Sequence, residues 1–382
     1  MTGFKKFLWL EGIFDEKSVS SFLAISPAAN FWQKGFVEAL HELGHEVDVI
    51  GYPVERAWPF GRLMVGNNMA SLLPGLKGKV VGYLNFPFFR DTVQYFNMLK
   101  VVKSFFGNSE NMPDYQMIWS CLEKATDTTP AIKMAKYIRN KYGIPWICIV
   151  ADGSAPPGAD GYVYLAWNYY HSTASPGPSM YIDGGVPDVK SANDQFLAVN
   201  NFSLKRSLMY MGDLGPHGGV TQLARVFNKV NSDDIQLWIC GRGNNAELAQ
   251  LAEIDSRIKI KGFVDSKELN QLASATFAFV NPRPNSFLPN KLNYPSKLLH
   301  YLAFGKPVIS TFTDGVSPDY AEILIPIRDE SDDALCEAID RTMKIDVNEY
   351  EAIRDRIERF NKTHTWAYQV NRFVLWLKNE KI

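Results

Sequence analysis

The chain has 382 residues, with 40 Lys and Arg against 41 Asp and Glu, for a net charge of −1. That balance excludes a strongly basic nucleic-acid binder and an acidic disordered tail as first readings. Apolar residues make up 46% and charged residues 21%, an ordinary globular composition, and the length predicts two domains.

In chain order, residues 7–10 predict a first strand. Residues 30–43 carry Phe36, Val37, Leu40 and Leu43 at helical spacing and stop at Gly44, and residues 46–50 follow as a second strand. Strand, helix, glycine stop and strand is the sequence form of a βαβ unit. Further strands are predicted over 79–84 and 115–119. A helix over 131–142 ends at Gly143 and leads to a strand over 145–151. The alternation restarts with strands over 207–211, 235–240, 258–262, 276–280 and 307–310. Helices over 219–230, 244–253, 267–274 and 296–304 separate them. Residues 183–205, rich in Gly, Pro, Asn and Asp, break both patterns and read as a linker. The expected fold is therefore α/β, with two Rossmann-like doubly wound domains facing a central cleft. Their expected bounds are 1–195, with the 366–382 helix crossing back, and 205–365. Ligands in such sheets lie outside the carboxyl ends of the strands.

Cys121, Cys148, Cys240 and Cys336 are far apart and form no C-x-x-C pair. They read as free thiols in a reducing compartment rather than as a zinc site. Residues 1–10 run into a strand without a small-residue cleavage site, and no window approaches a membrane span, so a cytoplasmic chain is expected. His41 and His45 stand four apart, but Gly44 and Glu46 mark a helix exit there, and no metal is expected.

Five places suggest chemistry. Tyr294-Pro295-Ser296-Lys297 opens a helix that stops at Gly305. Free N–H groups, a hydroxyl and an ammonium suit a diphosphate, although an ordinary capped helix with an exposed Lys reads the same way. The turn Gly262-Phe263-Val264 ends a strand, where backbone groups can face a planar base. In the N-terminal half, Asn30 and Gln33 lie at a βα turn, where they contact an acceptor or merely cap the helix. Asp152 directly follows a strand, placed to act as base, to orient an acceptor, or to cap a turn. Residues 86–106 are aromatic and slightly basic, which fits either a face resting on a bilayer or a core helix with two surface lysines.

Taken in order, Met211-Gly212-Asp213-Leu214, Ile239-Cys240-Gly241-Arg242-Gly243, Gly262-Phe263-Val264 with Glu268-Leu269, and Pro295-Ser296-Lys297 through Gly305-Lys306-Pro307-Val308-Ile309-Ser310 resemble the C-terminal domain of GT-B glycosyltransferases of family 4, the group 1 family. The resemblance runs from about residue 207 to 325. The N-terminal half matches only generally, through Ala39-Leu40-His41-Glu42-Leu43-Gly44-His45-Glu46-Val47. It implies transfer of a sugar from a nucleotide-diphosphate donor to a glycan or lipid-linked acceptor, in polysaccharide or cell-surface glycan synthesis. It further implies no cofactor, no metal and a retaining course. Phe263 and Val264 would face the base, and the helix start at Ser296 the diphosphate. Many members carry two Glu residues with seven between them; here those positions fall near Leu292 and at His300, so His300 stands where a Glu would hold the ribose. Members also carry an Arg after the glycine at the position of Gly212 and a Lys before the next helix, where this chain has Asp213 and His217 or Gly218. Lys297, Arg283 or Arg242 would compensate. These departures keep two other classes open, a non-catalytic scaffold of the same fold and a sugar-nucleotide epimerase. The expected partners are the nucleotide sugar and the acceptor, with peripheral membrane contact and no nucleic acid.

Overall fold

The computed structural model describes residues 6–22, 24–106, 129–151, 153–172, 174–187, 206–232 and 234–382, together with the backbone of 115–121. The chain divides into two compact units, Met1–Gly185 with Trp366–Ile382, and Val186–Thr365.

The first unit is built on seven parallel strands: β1 (Lys6–Trp9), β2 (Glu46–Gly51), β4 (Lys77–Val80), β6 (Tyr115–Cys121), β7 (Trp146–Val150), β8 (Gly161–Tyr164) and β9 (Ser179–Tyr181), in the order β4-β2-β1-β6-β7-β8-β9. Its helices start and stop on local chemistry. Ser26 Oγ accepts the Ala29 N–H and Pro27 opens the helix Pro27–Glu42, and Gly143 adopts the left-handed conformation that ends Pro130–Tyr142. The strand expected over 79–84 is two. The chain leaves the main sheet after β4 and pairs β5 (Tyr83–Leu84) antiparallel with β3 (Met64–Val65). Gly82 permits that change, because a Cβ there would stand 2.8 Å from the Val65 carbonyl oxygen.

The helix Trp366–Glu380 belongs to this unit. Val370, Phe373, Val374 and Leu377 pack with Phe7, Trp9, Trp32 and Phe36 in one core cluster. Trp32 stacks on Phe36 at 5.1 Å, and Phe373 meets Phe36 edge-on at 5.2 Å. Gly35 lies under Trp366, whose indole nitrogen would be 2.2 Å from a Cβ at that position.

The second unit is built on six parallel strands: β10 (Arg206–Met211), β11 (Ile235–Cys240), β12 (Ile258–Gly262), β13 (Ala278–Asn281), β14 (Val308–Thr311) and β15 (Ile325–Ile327), in the order β12-β11-β10-β13-β14-β15. The strand expected over 276–280 starts later. Thr276 instead closes the helix Ser266–Ala275, and its hydroxyl donates to the Ser207 carbonyl at 2.9 Å. Lys306 is buried beside it, its ammonium donating to the Ser274 and Thr276 carbonyls. In both sheets the strand order reverses beside the first strand, between β1 and β6 and between β10 and β13. That reversal leaves a crevice at the carboxyl ends, where doubly wound sheets bind ligands.

Among the described residues no helix is long and apolar enough to cross a membrane. Phe373 has no exposure and the aromatic packing around it is close, so Phe373→Ala is expected to cost about 3–5 kcal/mol in urea unfolding.

Candidate nucleotide-sugar site

The best-built cluster lies in the second unit at the carboxyl ends of β10 and β13. Strand β10 ends in Tyr210-Met211, and the chain then turns through Gly212-Asp213-Leu214 into the short 3₁₀ turn Pro216–Gly218. The turn is held by backbone bonds, from Gly212 N–H to the Cys240 carbonyl at 2.9 Å and from Leu214 N–H to the Arg242 carbonyl at 2.9 Å. Only glycine fits its tightest approaches. A Cβ on Gly241 would lie 1.6 Å from the Gly212 carbonyl oxygen, and one on Gly219 would lie 1.8 Å from the Pro282 carbonyl oxygen.

The helix Lys297–Leu302 is locked onto this turn by Tyr301. The Tyr301 hydroxyl accepts the Met211 N–H and donates to the Met211 carbonyl, both at 3.0 Å, while its ring stacks on Phe279 at 4.7 Å. Lys297 stands one helical turn before Tyr301 and therefore on the same face. Its ammonium donates to the Tyr210 hydroxyl at 3.3 Å, lies 4.4 Å from that ring's centroid, and would be 2.6 Å from a Cβ on Gly212. Burial lowers the Lys297 pKa to about 7, the nearby Arg283 guanidinium pushes the same way, and Asp213 opposes both. The Tyr210 hydroxyl donates to the Asp213 carbonyl at 2.6 Å, and burial raises its pKa.

Arg283 follows β13 and is aimed by Asn290, whose Oδ1 accepts the Arg283 Nε–H at 2.9 Å. Asn290 is buried, and its amide donates to the carbonyls of His217 and Pro284 at 2.8 and 3.0 Å. It thus ties the loop after β13 to the loop after β10. Ser296 is exposed and makes no side-chain cap, so the short helix begins without the hydroxyl bond that its sequence predicts. His300 rests on Phe304 at 5.8 Å, and burial lowers its pKa to about 4, which keeps the imidazole neutral.

At the neighbouring edge, Gly262 takes a left-handed φ of 68° and carries the chain into Phe263-Val264. Phe263 is exposed, and the Arg242 guanidinium covers its ring at 3.9 Å from the centroid. The pair makes a flat, cationic surface beside the crevice. Gly212, Arg283 and Lys297 thus converge at the switch point, Arg242, Phe263 and Val264 lie at its flank, and Ser296 and His300 belong to the helix between.

The first-unit residues fall out differently. Asn30 is buried and both ends of its amide bind Phe14, with Oδ1 accepting the Phe14 N–H at 2.8 Å and Nδ2 donating to the Phe14 carbonyl at 3.0 Å. Gln33 is 2% exposed and accepts the Trp9 indole N–H at 2.7 Å. The expectation that these two meet an acceptor is corrected here: both hold the turn and helix after β1 onto the core. Asp152 lies outside the described residues. The helix Arg90–Phe106 buries Met98, Val102 and Phe106 and is a core helix, whereas Phe86, Phe88 and Phe89 just before it are exposed. Tyr210, Asn290 and Tyr301 carry the site's geometry and were not singled out by sequence. The two tyrosines sit in apolar runs and Asn290 in the short helix Leu288–Leu292, with no motif to mark them.

Residues 205–344 match the family described as Glycosyl transferases group 1. The matched segment lies within the second unit. The whole chain has the GT-B glycosyltransferase fold, shared with several solved structures. Sucrose-phosphate synthase from Thermosynechococcus elongatus is 14% identical, with 98% of each chain covered and a TM-score of 0.67. A glycosyltransferase from Rickettsia africae is 13% identical, again with 98% of each chain covered, at 0.65. HepE from Anabaena, solved with UDP and glucose, is 13% identical, with 98% of this chain and 100% of that chain covered, at 0.63. No curated protein sequence matches the chain.

In this unit, Tyr301→Phe leaves the buried Met211 N–H and carbonyl without the hydroxyl. Urea unfolding is expected to show a loss of about 1–3 kcal/mol, with the chain still folded.

Proposed function

We propose that the protein transfers a sugar from a nucleoside-diphosphate donor to a glycan or lipid-linked acceptor, with the diphosphate held by Lys297, Arg283 and the Gly212 turn. The observation that carries this reading is the pair of cations converging on a glycine turn at the switch point of a group 1 domain. An enclosed ammonium beside a guanidinium is poorly compensated until an anion arrives, and a diphosphate supplies that charge. Arg242 and Phe263, with the backbone of Val264, form the platform for the base, the neutral His300 offers a ring nitrogen to the ribose, and Ser296 offers its hydroxyl at the helix start. The two cations take the place of the Arg and Lys that other members carry beside the glycine turn.

In the transfer, the bond from the sugar's anomeric carbon to the diphosphate oxygen breaks and one from that carbon to an acceptor oxygen forms. The acceptor proton leaves to the departing diphosphate in a retaining course, or to a base such as Asp152 in an inverting one. We favour the retaining, metal-independent course, because Lys297 and Arg283 can neutralise the leaving diphosphate without a bound cation. The wider reading is a cytoplasmic enzyme of polysaccharide or cell-surface glycan synthesis, which follows from the resemblance stated above.

Calorimetric titration with UDP, GDP and ADP tests the donor reading. One of the three is expected to bind, and Lys297→Ala is expected to weaken it about tenfold or more. Absence of binding by all three would overturn the reading and favour a scaffold. Conversion of the sugar nucleotide without any acceptor would favour an epimerase.

The pH dependence has a defined sign. Below about 7 Lys297 is charged in the free protein and affinity is full. Above that value binding must take up a proton, so affinity is expected to fall by up to about tenfold per pH unit until the raised pKa of the bound state is reached. Titrations in buffers of different ionisation heat read that proton directly, and Lys297→Ala should abolish it.

A further inference from the structure

The first unit displays a group of large apolar side chains that its own core does not use. Asn85, which has no exposure, braces two loops side by side: its N–H donates to the Leu63 carbonyl, its side-chain amide donates to the Arg56 and Arg62 carbonyls, and its carbonyl accepts the Trp58 N–H. The antiparallel pairing of Met64 with Leu84 continues the same brace. The two loops so held project their rings outward. Phe88 is 96% exposed, Phe60 85%, Met64 68% and Phe89 60%. Trp58 stacks on Phe86 at 5.7 Å, and Phe86 on Phe89 at 6.3 Å, so these three rings form one connected surface. Phe88 takes a φ of 70°, a backbone state costly for a bulky residue, at the point where its ring is most exposed. Rings displayed at this scale mark an interaction surface.

The charge around these loops selects the occupant. Residues 54–106 hold seven Lys and Arg against two Asp and Glu, in a chain whose net charge is −1. Arg56 and Arg90 bracket the rings directly in sequence, with Arg90 paired to Asp91 at 3.2 Å and Arg62 to Glu55 at 2.9 Å. Trp and Phe at projecting tips with basic flanks suit the headgroup region of an anionic bilayer, where rings insert and cations meet lipid phosphates. The loops also follow the carboxyl ends of β2 and β4, the edge of the sheet at which α/β units meet their ligands.

We propose that the first unit docks on an anionic lipid bilayer through the braced aromatic surface of residues 58–64 and 84–89. Docking here would bring the acceptor-side unit to the membrane with its ligand edge toward the lipid. The inference rests on the acceptor reading only for that purpose; the docking itself is read without nucleotide or acceptor.

Vesicle co-flotation of the full chain tests it, with phosphatidylcholine alone or mixed with phosphatidylglycerol, at low and high salt. The chain is expected to float with the anionic vesicles and to bind less at high salt. A Phe60→Ser, Phe88→Ser double variant is expected to lose about tenfold or more of the partition while keeping its melting temperature and the parent's nucleotide binding, because neither ring is buried. Arg56→Glu with Arg90→Glu should weaken binding to the anionic vesicles and leave any binding to neutral vesicles unchanged. Failure to float with the anionic vesicles would overturn the proposal, as would a folded Phe60→Ser, Phe88→Ser variant that floats like the parent. Lipid-free size-exclusion chromatography supplies another decisive outcome: a dimer that the Ser variant dissolves would assign the surface to a second copy instead. Absence of UDP, GDP and ADP binding by the parent, with flotation intact, would count against the donor reading alone.

Discussion

The hydroxyl of Tyr301, bonded to both backbone groups of Met211, is the constraint from which the site follows. It joins the end of β10 to the helix Lys297–Leu302, and the ring stacked on Phe279 prevents that helix from rolling. With the roll fixed, Lys297 has one direction to extend, toward Tyr210 and Gly212. The glycines of the turn then matter for contact rather than flexibility alone: side chains at 218, 219 or 241 would collide with Tyr210 or with backbone. Asn290 plays the matching part on the other side, joining Arg283 to the loop that carries His217.

The result is a site whose electrostatics are arranged before any ligand is present. An ammonium is enclosed where water stabilises it poorly, and a guanidinium stands near enough to add repulsion. Asp213 relieves part of that, but it is half-exposed, and its Oδ1 already accepts the Gly215 N–H at 2.6 Å. The chain thus stores unfavourable positive potential at a sheet's carboxyl edge, and the rigidity just described keeps the structure from relaxing away from it.

Much of the architecture was legible in the residues. Long apolar strands with glycine stops after helices identify both doubly wound sheets, and β11 and β12 fall on their predicted bounds. Two strands of the first sheet, Gly161–Tyr164 and Ser179–Tyr181, are too short and too close to Pro and Gly to show a period. The proposed site was legible where it would use charge, at Lys297 and Arg283, and illegible where its geometry rests on hydroxyls buried among apolar neighbours, at Tyr210 and Tyr301. Asn30 and Gln33 show the opposite error. The turn after β1 was correctly placed, but the direction of a side chain is set by packing, and Phe14 and Trp9 claim both amides. The rings at 58–64 were hidden for a related reason, since an apolar residue reads as core until the fold shows that no core reaches it, whereas those at 86–89 lie in the stretch whose sequence offered a bilayer face beside a core helix.

The helix Trp366–Glu380 bears on the order in which the chain is made. The second unit is continuous in sequence, from Val186 to Thr365, and all of it is synthesised before that helix begins. The first unit is not complete when its own first 185 residues have emerged, because Val370, Phe373 and Leu377 supply one wall of the cluster around Trp9, Trp32 and Phe36. A nascent chain therefore holds an open aromatic groove through the synthesis of the entire second unit, and residues 366–382 close it once they emerge. Quality control by chaperones has that whole interval in which to recognise the groove, and a chain cut short before Trp366 would present it permanently.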